Sequence, residues 1–163
     1  MAEVLELNEM LANTFEPKRQ FRWIMSMQGL LDEFTLKTAT RPQINFEDTT
    51  IDYMNVKRYI AGKPAWEPLT LTIYDPISPS AAQKVAEWIR LSFEGTTGRM
   101  GYAQFYKKEI NLKMLDPIGA VVEDWLIQGA WVMNSNWGEL DYAVSDPVNI
   151  TLTIRFDQAV LQF

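Results

Sequence analysis

The sequence predicts a mainly β protein, an antiparallel sandwich or barrel of six to eight strands with one flanking α-helix. The strongest observation is the run from Val148 to Asp157, where large apolar and polar residues alternate without exception over ten positions. Successive side chains of a strand point to opposite faces, so this run predicts a strand with one buried face. The second observation is that one stretch, 78–94, combines a convincing helical pattern with matching end signals.

The N-terminal segment, residues 1–17, predicts an arm or a short amphipathic helix. Pro17 ends it, and its apolar residues recur at helical spacing: Val4, Leu7, Leu11 and Phe15. Two alternating stretches follow, Phe21 to Met27 and Phe34 to Thr38, with Gly29 between them. This arrangement predicts a first β-hairpin.

A longer, projecting hairpin is predicted over residues 43–62. The segment is rich in Thr, Asp, Tyr and Asn, and it carries apolar residues that the domain's own core is not expected to cover. Apolar side chains on a projecting hairpin are typical of a surface that contacts a partner. The candidate inter-subunit interface consists of Ile44, Phe46, Ile51, Tyr53, Met54, Val56, Tyr59 and Ile60.

An alternating strand from Leu69 to Ile73 precedes the predicted helix. Ser78 is a suitable N-cap, Pro79 suits the first helical position, and Gly95 is placed to end the helix. One face of the helix is apolar and is predicted to lie on the sheet: Ala81, Ala82, Val85, Trp88, Ile89 and Phe93.

Two more strands are predicted between the helix and the C-terminal run. Alternation from Ile110 to Met114 indicates the first. The second spans Asp124 to Asn134, and its predicted apolar face consists of Trp125, Ile127, Trp131 and Met133. Residues 136–140 are predicted to turn into a short strand.

The composition argues against an enzyme. The 163 residues suit one domain, 1–163, and contain no cysteine and no histidine, so the commonest general base and metal ligand are missing and no cofactor is predicted. The adjacent acid pairs, Asp32-Glu33, Glu47-Asp48 and Glu123-Asp124, are predicted to be turn or solvated residues, because strand neighbours point to opposite faces. The glycines of 95–101 follow a helix, which favours a flexible connection over a phosphate-binding loop. No signal peptide or apolar run near the ~20 residues of a membrane span is present, which predicts no membrane insertion.

The net charge of −6 is unevenly distributed. Residues 1–16 carry four acids and no base, residues 17–115 carry fourteen bases against ten acids, and residues 116–163 carry seven acids and one base. An acidic chain is a poor general binder of nucleic acid. The asymmetry is compatible with like chains stacking an acidic face on a basic one, and the simpler interpretation is that each charge solvates its own surface.

Several motifs, in order along the chain, resemble tail tube proteins of contractile-tailed bacteriophages. They are Ala39-Thr40-Arg41-Pro42 after Phe34-Thr35, Met54-Asn55 with Lys57 and Ala61-Gly62 before the Trp66 to Asp75 strand, Tyr106-Lys107-Lys108, and Gly129-Ala130-Trp131 followed by Asn136-Trp137-Gly138-Glu139-Leu140. The matching stretches run from about Phe21 to Asp157.

The resemblance implies a structural virion protein whose strands join a shared barrel in a hexameric ring. Rings would stack into the inner tube of a contractile tail, a conduit for double-stranded genomic DNA during ejection. The implied partners are the sheath, baseplate and tape measure proteins, with assembly in the bacterial host cytoplasm. Tube subunits of type VI secretion, bacteriocin and extracellular injection systems share this fold and remain an alternative. A monomeric β-barrel binding module is a further one.

The charges suggest two roles within such a tube. Glu6 and Glu9 are candidate ring-stacking acids, because the acidic N-terminal segment can meet a basic surface of the next ring. An acidic lumen would repel DNA phosphates and keep the passing polymer from binding. The candidate lumen acids are Glu47, Asp48, Asp52, Asp141 and Asp146.

Overall fold

Eleven strands and two helices follow one another along the part of the chain that the structure describes. The computed structural model describes residues 16–27, 29–30 and 35–163. The elements are β1 Trp23–Met27, β2 Leu36–Ala39, β3 Ile44–Tyr53, β4 Val56–Trp66, β5 Leu69–Tyr74, α1 Ala81–Ser92, β6 Phe93–Glu94, β7 Arg99–Met100, α2 Ala103–Tyr106, β8 Lys108–Leu115, β9 Val121–Asn136, β10 Asn149–Arg155 and β11 Gln158–Leu161. The predicted arm lies outside the described residues except for Glu16 and Pro17.

Seven strands form one antiparallel sheet, which confirms the predicted mainly β architecture. The strand order is β1-β8-β9-β10-β5-β2, and β11 adds to β9. Strand β9 pairs with β8 and β11 along its first half and with β10 along its second half. Although β1 and β2 stand at opposite ends of this order, they line the same two cavities. The sheet therefore curls into an open barrel.

The core lies inside the curled sheet and under α1. Every second residue of β5, β8 and β10 is buried, so the alternation in the sequence becomes one apolar face. The fully buried side chains include Leu71, Ile110, Ile127 and Leu152, and each such side chain stabilises the fold by about 2 kcal/mol relative to exposure. Helix α1 contributes Trp88, whose indole Nε1 donates a hydrogen bond of 2.7 Å to the Tyr106 carbonyl.

The predicted first hairpin is wrong. Strand β1 pairs with β8 and β2 pairs with β5, so the two neighbours in sequence stand at opposite edges of the sheet. Phe21 precedes β1 and is 75% exposed. Alternation identifies a strand and its buried face, but its pairing partner depends on residues far away in the chain.

The ends of α1 differ from the prediction by a few residues. Ser80, not Ser78, is the N-cap, and its hydroxyl accepts a hydrogen bond from the Gln83 amide. The helix ends at Ser92 and the chain becomes extended at Phe93, before the predicted stop at Gly95.

A bulge in β9 reverses the predicted face of its second half. Gly129 adopts φ +70°, and four residues of β9, from Ile127 to Ala130, stand opposite three residues of β8, from Lys108 to Ile110. Ala130 is consequently buried, whereas Trp131 is only half-buried and Met133 is exposed. The prediction that Trp131 and Met133 share a face with Trp125 and Ile127 is therefore wrong.

Residues 137–148 form a loop, so the short strand predicted after residue 136 is absent. The Asn136 carboxamide oxygen accepts a hydrogen bond from the Gly138 amide at the start of this loop. No helix in the described ranges is long and apolar enough to cross a membrane.

Candidate functional site

The hairpin of β3 and β4 carries the predicted interface residues. Among the described residues β3 and β4 pair only with each other, and they extend to Trp66, four residues beyond the predicted end. All ten residues of β3 are exposed. Trp66 anchors the base, because its ring packs on Phe156 with 5.7 Å between centroids. A long exposed ribbon thus leaves the sheet from a buried aromatic contact.

The register divides the hairpin into two different faces. Directly opposite residues of an antiparallel pair lie on the same face. One face, which we call the apolar face, holds the pairs Tyr53–Val56, Ile51–Arg58 and Thr49–Ile60. The other, the acidic face, holds Asp52–Lys57, Thr50–Tyr59 and Asp48–Ala61. The hairpin is therefore amphipathic, although neither face is buried.

The predicted interface residues are all exposed, between 40% for Ile44 and 88% for Met54. Ile51, Tyr53, Val56 and Ile60 share the apolar face, and Tyr59 lies on the acidic face. Ile44 and Phe46 stand at the base, opposite Trp66 and Pro64, and Met54 stands at the two-residue tip.

The candidate lumen acids fall into two groups. Asp48 and Asp52 share the acidic face of the hairpin, whereas Glu47 lies on the opposite face by strand alternation. Asp141 and Asp146 belong to the exposed loop 137–148. The hairpin therefore brings two of the five acids together. Glu6 and Glu9 lie outside the described residues.

A buried carboxylate at the root of the hairpin is a correction to the sequence analysis, which predicted a solvated acid pair at 123–124. Glu123 is 3% exposed. Its Oε1 accepts hydrogen bonds from Arg41 Nη2 at 2.6 Å and from Trp125 Nε1 at 2.5 Å, and its Oε2 accepts one from Lys18 Nζ. Arg41 precedes β3, so this one carboxylate connects the hairpin root and Lys18 to β9.

The hydrogen-bond donors around Glu123 stabilise the ionised form of its carboxyl group. Burial raises the pKa of a carboxyl group, but hydrogen bonds from Lys18 and Trp125 and the positive charges of Arg41 and Lys18 outweigh it and leave the pKa of Glu123 below its ordinary value. The signal in the sequence was available: Glu123 is two residues from Trp125 and four from Ile127, on the buried side of β9.

A second exposed apolar surface, which sequence reasoning missed, surrounds the C-terminal end of α1. Its members are Leu91, Phe93, Met100, Tyr102 and Phe105, and we call it the helix-end patch. The predicted flexible connection is in fact the small β6–β7 hairpin followed by α2. The amide of Gly101 donates to the Ser92 carbonyl at 3.0 Å, which holds this hairpin against the end of α1.

Two arrangements that would indicate chemistry are missing from the described ranges. No group of three or more acidic side chains there is placed to hold a metal ion. The most buried acid, Glu123, is fully occupied by cationic and indole donors.

The fold is that of tube proteins of contractile injection systems. A chain of the PVC sheath/tube terminator in the extended state, from an extracellular contractile injection system, superposes with a TM-score of 0.74 at 15% identity, covering 92% of this chain and 99% of that one. A chain of the PVC sheath-tube complex gives 0.72 at 14% identity over 98% and 99%. A chain of the anti-feeding prophage cap, which terminates the AFP tube, gives 0.72 at 19% identity over 93% and 99%.

No family model and no curated protein matches the sequence. At identities below one fifth, the structural likeness establishes the architecture, and it does so over nearly the whole length of both chains.

Proposed function

We propose that this chain is the subunit of the inner tube of a contractile tail, forming hexameric rings that stack into a hollow conduit. The observation that carries the proposal is the β3–β4 hairpin, whose apolar face is exposed along its whole length on a chain with a tube-like fold. Such a hairpin would be a disadvantage in a monomer, because exposed apolar strands promote aggregation. In a ring, neighbouring subunits would cover it.

Assembly into rings and tubes requires two different, complementary surfaces on each subunit. A head-to-tail contact propagates until it closes as a ring or continues as a filament. The apolar face of the hairpin and the helix-end patch are two exposed apolar surfaces on different elements of the same chain, and we assign them to this contact. Glu6 and Glu9 would contribute to stacking between rings.

In this proposal the acidic face of the hairpin lines the lumen. Asp48 and Asp52 would present negative charge to double-stranded genomic DNA, which would pass without specific binding. The sheath, baseplate and tape measure proteins would be the partners. Subunits would assemble in the bacterial cytoplasm and end in the tail tube of the virion.

The test compares two adjacent residues of β3 with opposite faces. Ile51→Asp should abolish rings and tubes in negative-stain electron microscopy, because it places a charge in the apolar contact. Thr50→Asp, one residue away on the acidic face, should assemble normally. Both positions are exposed, so the two variant subunits should unfold at the same temperature.

Tubes of Ile51→Asp that are indistinguishable from wild-type tubes would overturn the hairpin contact. Single particles of the wild type, even with baseplate proteins present, would favour a monomeric binding module.

A second candidate is the tube subunit of an extracellular contractile injection system, and the likeness to the PVC and AFP chains favours it. The two candidates differ in the cargo of the assembled particle. Particles purified from the native source and treated with nuclease should retain protected genomic DNA if they are phage tails attached to heads. Particles that contain no protected DNA would identify an injection system.

A further inference from the structure

We propose that the acidic N-terminal segment of one subunit, residues 1–16, docks into a basic cleft on the neighbouring copy, between the unpaired edges of β1 and β2. This inference rests on the proposed function, because it requires a second copy of the chain. It identifies the surface that receives the candidate stacking acids.

The cleft is the gap that leaves the barrel open. Among the described residues β1 pairs only with β8 and β2 only with β5, so each strand has one edge without a partner strand. A cavity of about 700 Å³ lies between them and extends from Lys18 and Arg41 to Leu112 and Met114. A second cavity of about 440 Å³ shares Trp23 and Lys37 with the first. The cavity provides space for an added segment of chain, and the backbone N–H and C=O groups of the two edges can form hydrogen bonds with it.

The cleft has an apolar floor and a cationic rim. Trp23 and Leu36 pack against the core and line the floor. Lys18, Lys37 and Arg41 line the rim, and the side chains of Lys18 and Arg41 are 49% and 59% exposed although each binds Glu123. Lys18 and Arg41 thus share one carboxylate, and Lys37 lies over the Tyr74 ring with its Nζ 5.4 Å from the ring centroid, so the rim carries more positive than negative charge.

Residues 1–16 have the complementary composition. They carry Glu3, Glu6, Glu9 and Glu16 and no base, and their apolar residues recur every three or four positions. An acidic segment with one apolar stripe matches a basic rim above an apolar floor. Each new ion pair at such a partly exposed site would contribute modestly, so the segment binds through several of them together with its apolar contacts.

The neighbouring copy, rather than the same chain, is favoured by the head-to-tail contact that the proposed tube requires. The chain already turns between Arg19 and Arg22, where the Arg22 amide donates to the Arg19 carbonyl at 3.2 Å. Lys18 is then fixed at the cleft mouth by Glu123, and Pro17 follows on the way to the N-terminus. The described chain thus reaches the cleft mouth with Lys18 held in place. In a head-to-tail stack, a segment of one copy contacts a different surface of the next copy, and the cleft provides such a surface for residues 1–16.

The absence of cysteine from the chain allows a direct test by disulfide formation. Asn8→Cys places a thiol in the acidic segment without removing an acid, and Thr38→Cys places one on β2 at the cleft without removing a cation. The two variants are mixed, one of them isotopically labelled, assembled, oxidised and analysed by mass. We expect the Asn8–Thr38 heterodimer to be the main cross-linked species. Adding Lys37→Glu to the Thr38→Cys chain should reduce the yield of this heterodimer by about threefold or more. Adding Glu6→Lys and Glu9→Lys to the Asn8→Cys chain should then restore the yield.

The matched control is Thr96→Cys, in the exposed turn between β6 and β7. Heterodimers with Thr38 no more abundant than with Thr96 would overturn the cleft inference, while tubes in the same sample would leave the proposed function standing. If a chain that carries both Asn8→Cys and Thr38→Cys forms the disulfide within one molecule, the assignment to a neighbouring copy is overturned. Failure to form any assembly, even with baseplate proteins added, would overturn the proposed function and this inference with it.

Discussion

At the scale of the residue, Glu123 connects three distant parts of the chain. Its carboxylate accepts hydrogen bonds from Lys18, Arg41 and Trp125, and two of these residues adjoin the segments that we assign to assembly: Lys18 follows residues 1–16, and Arg41 precedes the hairpin. A hydrogen bond to a charged group contributes more than a neutral one. Loss of Glu123 would therefore release Lys18 and the Arg41 side chain at the hairpin root together.

Glu123→Gln should lower the free energy of unfolding at pH 7 by about 2 kcal/mol, because it removes the charge that two cations share. The folded pKa of Glu123 lies below its ordinary value of 4.5. Its contribution is thus fully present above that value and is lost as the pH falls through the lowered folded pKa. The difference between wild type and Glu123→Gln should shrink toward zero in that acidic window. Urea unfolding at a series of pH values measures it.

The control for this prediction is Glu109→Gln, at an exposed glutamate of β8. It should change the unfolding free energy little at any pH. A Glu123→Gln deficit that stays constant from pH 7 to the acidic window would mean that shape, and not charge, makes the residue important.

Gly129 shows why one residue limits what a sequence pattern can predict. A Cβ atom there would collide with the carboxylate of Asp157, which Lys107 holds with two hydrogen bonds of 2.8 and 2.9 Å. The positive φ and this close approach are compatible with glycine alone. The alternation before Gly129 predicts the buried face, and the alternation directly after it does not, because the bulge places Trp131 on the other face from Ile127.

At the scale of the element, the strands buried on one face were predictable and their partners were not. The alternation of β10 and β8 reproduces the burial pattern residue by residue. β11 was missed because its four residues include one buried side chain, Ala159, and a single apolar position has no period. The sequence predicts that the hairpin is exposed, because its apolar residues exceed what the core can cover. Its division into two faces could be determined only from the register of β3 against β4.

At the tip of the hairpin, one residue has both an unfavourable backbone conformation and an exposed apolar side chain. Met54 adopts φ +47° and is 88% exposed, although a bulky residue in that region costs about 1 kcal/mol relative to glycine. Met54→Gly should accordingly raise the stability of the isolated subunit by up to about 1 kcal/mol and weaken its assembly, since a flexible apolar side chain at a contact is lost. Thermal unfolding and sedimentation of the assembled material measure the two effects.

The neighbouring change Asn55→Gly is the control, because it also places glycine at the tip without relieving the φ of Met54. It should not stabilise the subunit. If Met54→Gly assembles as well as wild type, the tip does not take part in the contact, and the interface is confined to the strands of the hairpin.

At the scale of the whole molecule, the fold separates opposite charges of the net-basic stretch 17–115 into different surfaces. The basic residues Lys18, Lys37 and Arg41 meet at the open side of the barrel, and Asp48 and Asp52 meet on one face of the hairpin. The net charge of each stretch was visible in the sequence. Its distribution over surfaces was not, because it depends on the curl of the sheet and on strand register.

The charge of the lumen can be tested by reversing it. Tubes of the double variant Asp48→Lys and Asp52→Lys should bind short double-stranded DNA, whereas wild-type tubes should not, because lysines inside a channel would contact phosphates. The bound DNA should resist nuclease if these residues face the lumen, and its affinity should fall steeply between about 50 and 200 mM salt. Glu47→Lys, on the opposite face of the same strand, should give no protected DNA. Binding that remains fully sensitive to nuclease would place Asp48 and Asp52 on the outside of the tube and would overturn their assignment to the lumen.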